Sequence, residues 1–160
     1  MLVLLESTSP RVRYVVSHVL ERMLGLDVRY AQGQEEFRSA TGPRLSYGTQ
    51  LFDGAIHIPR SGCIEELPKH DPEVSVEGGA PRMFLVNGEE DLFAGIFHLL
   101  SLTDEINCKE RDVHGRVPSK ALFTVRSGIA DRPWVDEKVM ALGNALEDKW
   151  PAELQCAVRY

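Results

Sequence analysis

Cysteine is scarce in this sequence, and its placement excludes two kinds of site. The three cysteines, Cys63, Cys108 and Cys156, lie far apart, and no two of them form a Cys-x-x-Cys pair. A thiolate zinc site needs such closely spaced ligands, and a disulfide framework needs a larger, even set of cysteines. We therefore expect three independent thiols and neither kind of site.

An excess of basic charge and a long hydrophobic run are also missing. The chain has 18 Lys and Arg against 24 Asp and Glu, a net charge of −6, and its arginines are scattered. Nucleic-acid binding, which usually needs a concentrated basic face, is not expected. The apolar run from Leu92 to Leu102 is shorter than the roughly 20 residues of a membrane helix. Glu6 interrupts the first apolar residues at once, so no signal peptide is predicted and we expect a cytoplasmic protein without membrane contact.

The first thirty residues have the pattern of a parallel βαβ unit. Leu2 to Leu5 is a short apolar strand, and Ser9 before Pro10 is a strong helix start. A helix with one apolar face should end near Gly25, and Asp27 to Tyr30 resumes as a strand. The prediction is one α/β domain over residues 1–160, a layered sandwich with a mixed sheet.

The loop after the first strand lies where ligands of parallel sheets often bind. Ser7, Thr8 and Ser9 could hold an anion there, but the loop lacks the glycines of nucleotide-binding motifs. Glu6 would also repel a phosphate. Capping of the helix is the favoured role.

The later elements are predicted from turns and apolar spacing. Asp53-Gly54 is expected to turn a hairpin between 51–52 and 55–58. Short strands are predicted at 73–76, 83–86 and 122–125, and another at the end of the chain from 156 to 160. A buried helix is expected from Leu92 to Leu102, and a helix led by Pro133 carries an apolar stripe that ends at Trp150.

The segment FAGIFHLLSLTDEINCKERDVHGRVPSKALFTVRSGIADRPWVDE, residues 93–137, resembles an uncharacterised domain of bacteria, notably Bacteroidetes. That domain is found N-terminal to polysaccharide-deacetylase-like (NodB-type) domains. The shared pattern is the acidic turn Asp104-Glu105, the loop Arg111 to Arg116, and the helix start from Pro133 to Glu137. The sequence departs from it at Leu102 to Ile106, where relatives carry an aromatic and acidic run.

The resemblance implies that this chain is the N-terminal part of a longer protein. The downstream deacetylase-like domain would hold the divalent metal and would act on a glycan. The resemblance implies no cofactor and no catalytic residue for the present chain.

Two groups of polar residues are candidate sites. His98, Ser101 and Glu105 share one face of the central helix, and Asp112 and His114 could fold back beside them to bind a metal ion. The sequence has no His-Glu-x-x-His motif, so a face that meets solvent or the next loop is favoured. The loop from Arg111 to Arg116 could bind a sugar or an anion, or could tie the central helix to the last one. The candidate ligand-binding residues are His98, Glu105, Arg111, Asp112, His114, Arg116 and Asp136.

In that loop, Asp112 should accept backbone N–H bonds and Gly115 should adopt a positive φ. The two arginines should pair with Asp104, Glu105 or Asp136. Trp134 and Trp150 could stack on sugar rings, but core packing is favoured for both. Serine-hydrolase chemistry is set aside because no Gly-x-Ser-x-Gly motif occurs.

Three functions remain open from the sequence. The first is a non-catalytic accessory domain that positions or assists the downstream carbohydrate esterase. The alternative is a free-standing small-ligand or metal-binding enzyme with its site around His98, Glu105, Asp112 and His114. The third is an interaction module that dimerises through a sheet edge near Tyr160.

Overall fold

A four-stranded parallel sheet forms the centre of the fold. A computed structural model describes residues 1–66, 72–77 and 80–156. The strands β1 (Leu2–Leu5), β2 (Arg29–Tyr30), β3 (Arg44–Gly48) and β4 (Ile56–Pro59) lie in the order β2-β1-β3-β4. Because the chain leaves β1 towards β2 and then returns to the other side of β1, the sheet has a topological switch point between β1 and β3.

The predicted βαβ unit is confirmed. Helix α1 (Pro10–Ser17) continues into a π-helical segment, His18–Met23, and the chain then enters β2, which pairs in parallel with β1. The Ser9 hydroxyl accepts a hydrogen bond from the Val12 N–H at 3.3 Å, so Ser9 caps the helix as expected. The buried face of this helix covers one side of the sheet.

Helices cover both faces of the sheet. Helix α2 (Gln34–Ser39) lies on the face opposite to α1, where the fully buried Phe37 packs with Leu2 and Leu4. A larger core on the other face joins α1 to the later helices. The α/β layered fold is therefore confirmed. Helix α2 was not predicted, because six residues with one buried aromatic side chain show little periodicity.

The middle of the chain holds two small antiparallel hairpins. Strands β5 (Ser75–Glu77) and β6 (Ala80–Arg82) form one pair, and β7 (Leu85–Val86) and β8 (Glu89–Glu90) form the other. The predicted strands 73–76 and 83–86 overlap β5 and β7, each of which begins two residues later than predicted. In the described part of the chain, parallel and antiparallel strands thus lie in separate sheets.

The predicted hairpin around Asp53-Gly54 is wrong. Gly54 does make the turn, with φ of +73°, and the Ala55 N–H donates to the Phe52 carbonyl at 3.2 Å. However, residues 56–59 form β4, which runs parallel to β3. This turn ends the crossover loop between β3 and β4 and does not join two antiparallel strands. An Asp-Gly turn has the same local sequence in both cases, so the sequence could not distinguish them.

The central helix α3 (Leu92–Leu100) is buried along most of its length and packs against α6 (Trp134–Lys149). Between them lie α4 (Thr103–Asn107), a 3₁₀ turn (Ser119–Ala121) and α5 (Phe123–Arg126). The strand predicted at 122–125 is wrong, because its short alternation of apolar residues forms one helical turn. The Ser127 hydroxyl donates to the Phe123 carbonyl at 2.7 Å and closes that turn.

Both tryptophans lie near α6. Trp134 is 2% exposed and its Nε1 donates to the Pro81 carbonyl at 2.8 Å, which confirms the expected core packing. Trp150 is partly buried against the same core. The strand predicted for 156–160 lies almost wholly outside the described residues. Within the described residues, no helix combines the length and the hydropathy of a membrane span.

Candidate functional site

An open cleft of about 490 Å³ lies at the carboxyl edge of the sheet, at the switch point. It is bordered by the ends of β1 and β3, the loop before α2 and the loop after β3. Its polar lining is mainly uncharged: Glu6, Thr8, Gln32, Gln34, Ser46, Thr49 and Gln50. This position is where open parallel sheets usually bind ligands. We call it the switch-point cleft.

Glu6 is held in a defined position in this cleft. Its Oε2 accepts hydrogen bonds from the Thr49 N–H at 2.5 Å and from the Thr49 hydroxyl at 2.8 Å. A β-carbon on Gly48 would lie 2.7 Å from the same oxygen. Residue 48 must therefore be glycine for the carboxylate to cross the end of β3. Glu6 is still 42% exposed, so it can also accept a hydrogen bond from a ligand.

An ion pair supports the loops behind Glu6. Arg60 bonds Glu65 at 2.9 Å and lies 3.8 Å from the Glu6 carboxylate. Burial by itself would raise the pKa of Glu65, but hydrogen bonds from Ser7 and Arg60 outweigh it and leave that pKa lowered. The loops that follow β1 and β4 are thereby tied together.

A buried carboxylate joins three elements beneath the cleft. Asp91 is fully buried, and its oxygens accept bonds from the Tyr47 hydroxyl at 3.1 Å, the Ser61 N–H and hydroxyl at 2.7 Å each, and the Ala94 N–H at 3.0 Å. Desolvation raises the pKa of Asp91 despite these donors, and burial beside Asp91 raises the pKa of Tyr47. Asp91 caps α3 and at the same time fixes the ends of β3 and β4.

The floor of the cleft contains a hydroxyl paired with an imidazole. Ser46 on β3 and His57 on β4 are register partners, and the Ser46 Oγ lies 3.1 Å from the His57 Nδ1. Ser46 is 2% exposed, so only part of it reaches the cleft. Phe52 forms one wall and contacts Phe37 edge to face, with ring centroids 5.1 Å apart.

His98, the first residue of the predicted site, lies in the core. It is 6% exposed, and its ring meets Phe84 and Phe123 edge to face, with centroids 5.7 and 5.2 Å away. Its neighbours are therefore aromatic, whereas Glu105 on α4 is exposed. Among the described residues, no three or more His, Cys, Asp or Glu side chains form a group that could hold a metal ion.

The predicted loop from Arg111 to Arg116 has the conformation expected of it. Asp112 Oδ1 accepts the N–H groups of His114 at 2.8 Å and Arg116 at 2.9 Å, and Gly115 has φ of +77°. These backbone hydrogen bonds, above all that from Arg116, lower the pKa of Asp112. The structure thus brings Asp112, His114 and Arg116 together within one exposed turn.

In the described part of the chain, the two arginines bond groups of their own loop and not Glu105 or Asp136. Arg116 bonds Asp112 within the loop at 3.2 Å, and Arg111 donates to the carbonyls of Cys108 and Glu110. The side chain of Asp104 lies outside the described residues. Asp136, at the start of α6, lines a separate depression of about 250 Å³ beside Trp134.

Sequence reasoning located the loop after β1 but missed the cleft. Gln32, Gln34, Thr49 and Gln50 carry no motif, and they meet only because β1 and β3 are neighbours. No local signal marked these residues, because the strand before Thr49 reads Arg-Leu-Ser-Tyr-Gly and has no continuous apolar run. The role of Asp91 as helix cap and hydrogen-bond centre was not predicted from the sequence.

The sheet order and the position of the cleft define the class. This is a doubly wound α/β domain with an open, polar cleft at the switch point. Residues 1–151 match a family of unknown function, DUF7033, and the chain belongs to that family. No curated protein and no solved structure matches this chain.

Proposed function

We propose that this domain is a non-catalytic accessory domain that binds glycan in the switch-point cleft and assists a downstream polysaccharide-deacetylase-like domain. The observation that carries the proposal is the lining of the cleft by amide, hydroxyl and carboxylate groups at the ligand-binding edge of the sheet. The partner domain and the deacetylase activity of the whole protein come from the resemblance of residues 93–137.

The cleft lining is suited to sugar hydroxyls. Each hydroxyl both donates and accepts a hydrogen bond, and the amides of Gln32, Gln34 and Gln50 offer both functions. Glu6 adds an acceptor that Thr49 holds in place. Phe52 adds an apolar surface for the ring carbons. A site with a few placed polar groups beside an apolar wall is a general arrangement for small polar ligands.

The segment that carries the resemblance offers a surface for the partner domain. Its exposed apolar side chains are Leu100, Leu102, Ile106 and Val113, with exposed fractions of 40%, 55%, 72% and 96%. Apolar side chains exposed in succession favour a contact with another protein surface. We propose that this surface, and not the cleft, faces the deacetylase-like domain.

Glycan binding is tested by titrating chito- and cello-oligosaccharides into the protein and measuring heat. Thr49→Val and Gln34→Ala should each weaken binding about 3- to 10-fold, the range for one lost hydrogen bond of 0.5–1.5 kcal/mol. Gln155→Ala is the matched control, because Gln155 is exposed and outside the cleft lining. The glycan role would be overturned if none of these oligosaccharides binds. It would also be overturned if the cleft variants bind as tightly as the Gln155→Ala control.

The accessory role has a separate test in the gene. The reading frame should continue past residue 160 into a domain with Asp and His metal ligands. A stop codon directly after Tyr160 would overturn the assignment to a deacetylase-like protein and would leave glycan binding to be judged by titration.

A further inference from the structure

A second cavity of about 310 Å³ adjoins the switch-point cleft on the far side of Phe52. It is lined by Arg38, Arg44, Leu51, Phe52 and Asp53. Because Phe52 lines both cavities, a ligand longer than one sugar can pass along its side chain from one to the other. The two cavities differ in charge, since the second one presents two guanidinium groups and one carboxylate.

Arg44 is held rigidly in this second cavity. Its Nη1 donates to the carbonyls of Phe37 at 2.8 Å and Arg38 at 3.3 Å, which are in the last turn of α2. Its Nη2 donates to the Asp53 carbonyl at 3.3 Å. The guanidinium carbon also lies 5.7 Å from the centroid of the Phe37 ring. These contacts orient the side chain without neutralising its charge, because all its hydrogen-bond acceptors are carbonyls.

Arg38 stands at the entrance. Its guanidinium carbon lies 5.4 Å from the centroid of the Phe52 ring, and its side chain is exposed. Among the described residues, no carboxylate lies within ion-pair distance of Arg38 or Arg44. In a chain with a net charge of −6, two arginines that share one cavity and form no ion pair with its Asp53 are a specific feature.

The chemistry of the pair points to an oxyanion. A guanidinium presents N–H donors in a planar fork that matches carboxylate, sulfate and phosphate groups, and ring contacts keep that fork in a fixed plane. The neutral amides of the first cavity and the guanidinium groups of the second would therefore bind different parts of one molecule.

We infer that the glycan bound in the switch-point cleft carries an oxyanion substituent, and that Arg38 and Arg44 bind this group beyond Phe52. The inference rests on the proposed glycan binding and specifies the class of glycan.

The test compares matched neutral and acidic oligosaccharides in calorimetric titrations. Oligogalacturonate and its fully methyl-esterified form have the same backbone and differ in charge, and a sulfated galactan oligosaccharide separates sulfate from carboxylate. The acidic forms should bind roughly 10-fold more tightly, as expected for one charge-assisted hydrogen bond. This preference should decrease as salt rises from 0.01 M to about 1 M.

Arg38→Gln should reduce the preference for the acidic form, taken as the ratio of the two Kd values, about 5-fold. Arg22→Gln is the control, because it removes the same charge from an exposed arginine on the π-helical segment, outside this cavity. Arg44→Lys keeps the charge but loses the hydrogen bonds to the Phe37, Arg38 and Asp53 carbonyls that hold it in place, so carboxylate and sulfate binding should weaken alike.

The outcomes separate this inference from the proposed function. If neutral and acidic oligosaccharides bind equally, or if Arg38→Gln and Arg22→Gln behave alike, the oxyanion site is overturned while glycan binding stands. If no oligosaccharide binds, both are overturned. A preference for acidic forms that depends on Arg38 supports both.

Discussion

The ring of Trp134 occupies the space that a β-carbon on Gly95 would need. A β-carbon built on Gly95 lies 2.7 Å from the Cη2 atom of the indole. This close approach lets α3 and α6 pack together, and the indole N–H is satisfied by the Pro81 carbonyl. Gly95 is therefore required for this packing, although glycine is unfavourable in the interior of a helix.

Gly95→Ala should therefore destabilise the domain by about 1–3 kcal/mol, since overpacking outweighs the gain in helix propensity. Urea unfolding monitored by tryptophan fluorescence measures this change. Trp134→Phe in the same chain should recover part of the loss, because the smaller ring leaves room for the methyl group. Additive losses in the double variant would contradict the packing explanation.

Gly48→Ala should disturb the switch-point cleft. The new β-carbon would lie 2.7 Å from the Glu6 Oε2 and 3.0 Å from the Glu6 β-carbon, so the Glu6 side chain must move away from Thr49. We expect a loss of about 1–2 kcal/mol in stability and a loss of oligosaccharide binding. Gly33→Ala is the control for stability, because nothing lies within 4 Å of a β-carbon there. A Gly48→Ala variant as stable as wild type would show that Glu6 is not held as described.

Asp91→Asn should destabilise the fold by about 2 kcal/mol or more. The amide offers one acceptor oxygen, while Asp91 accepts bonds from four donors on Tyr47, Ser61 and Ala94, and the amide nitrogen would face some of these donors. Thermal and urea unfolding measure the loss. Asp148→Asn, on the exposed side of α6, should leave stability nearly unchanged.

The same carboxylate predicts a particular pH dependence. Burial raises the folded-state pKa of Asp91 above its ordinary value of 3.8, so the folded chain binds this proton more tightly than the unfolded chain. As the pH rises above about 3.8, this contribution to stability should fall until the pH exceeds the folded-state pKa. The free energy of unfolding of wild type and of Asp91→Asn is measured from pH 3 to pH 7. The difference between the two at each pH isolates the contribution of Asp91. A difference that is constant over this range would refute a raised pKa.

Asp112→Ala should loosen the exposed loop without affecting the core. Its carboxylate accepts the N–H groups of His114 and Arg116, so these two amides should exchange with deuterium several-fold faster in the variant. Glu110→Ala serves as the control, because Glu110 pairs at the surface with Lys120 and holds neither amide. Unchanged exchange would show that Gly115 and the backbone alone maintain the turn.

Local chemistry made part of the structure predictable from sequence. The Ser9-Pro10 start of α1, the apolar stripe of α6 and the Asp112-Gly115 turn each depend on residues within a few positions of one another. Their patterns therefore act through short-range hydrogen bonds and periodic burial, which a sequence displays directly. Where the pattern covered only one turn, as at 122–125, it could not distinguish a strand from a helix.

The cleft and its partners depended on contacts between distant parts of the chain. Glu6 and Thr49 are 43 positions apart and meet because β3 lies next to β1. Asp91 and Tyr47 are 44 positions apart and meet because the start of α3 packs beside β3. Strand order, the direction of β4 and the burial of His98 between two aromatic rings follow from how the layers pack. Amino-acid order alone was enough for α1 with its Ser9 cap, for α6 and for the Asp112-Gly115 turn. The cleft exists only once the sheet has assembled, because its groups are contributed by separate loops.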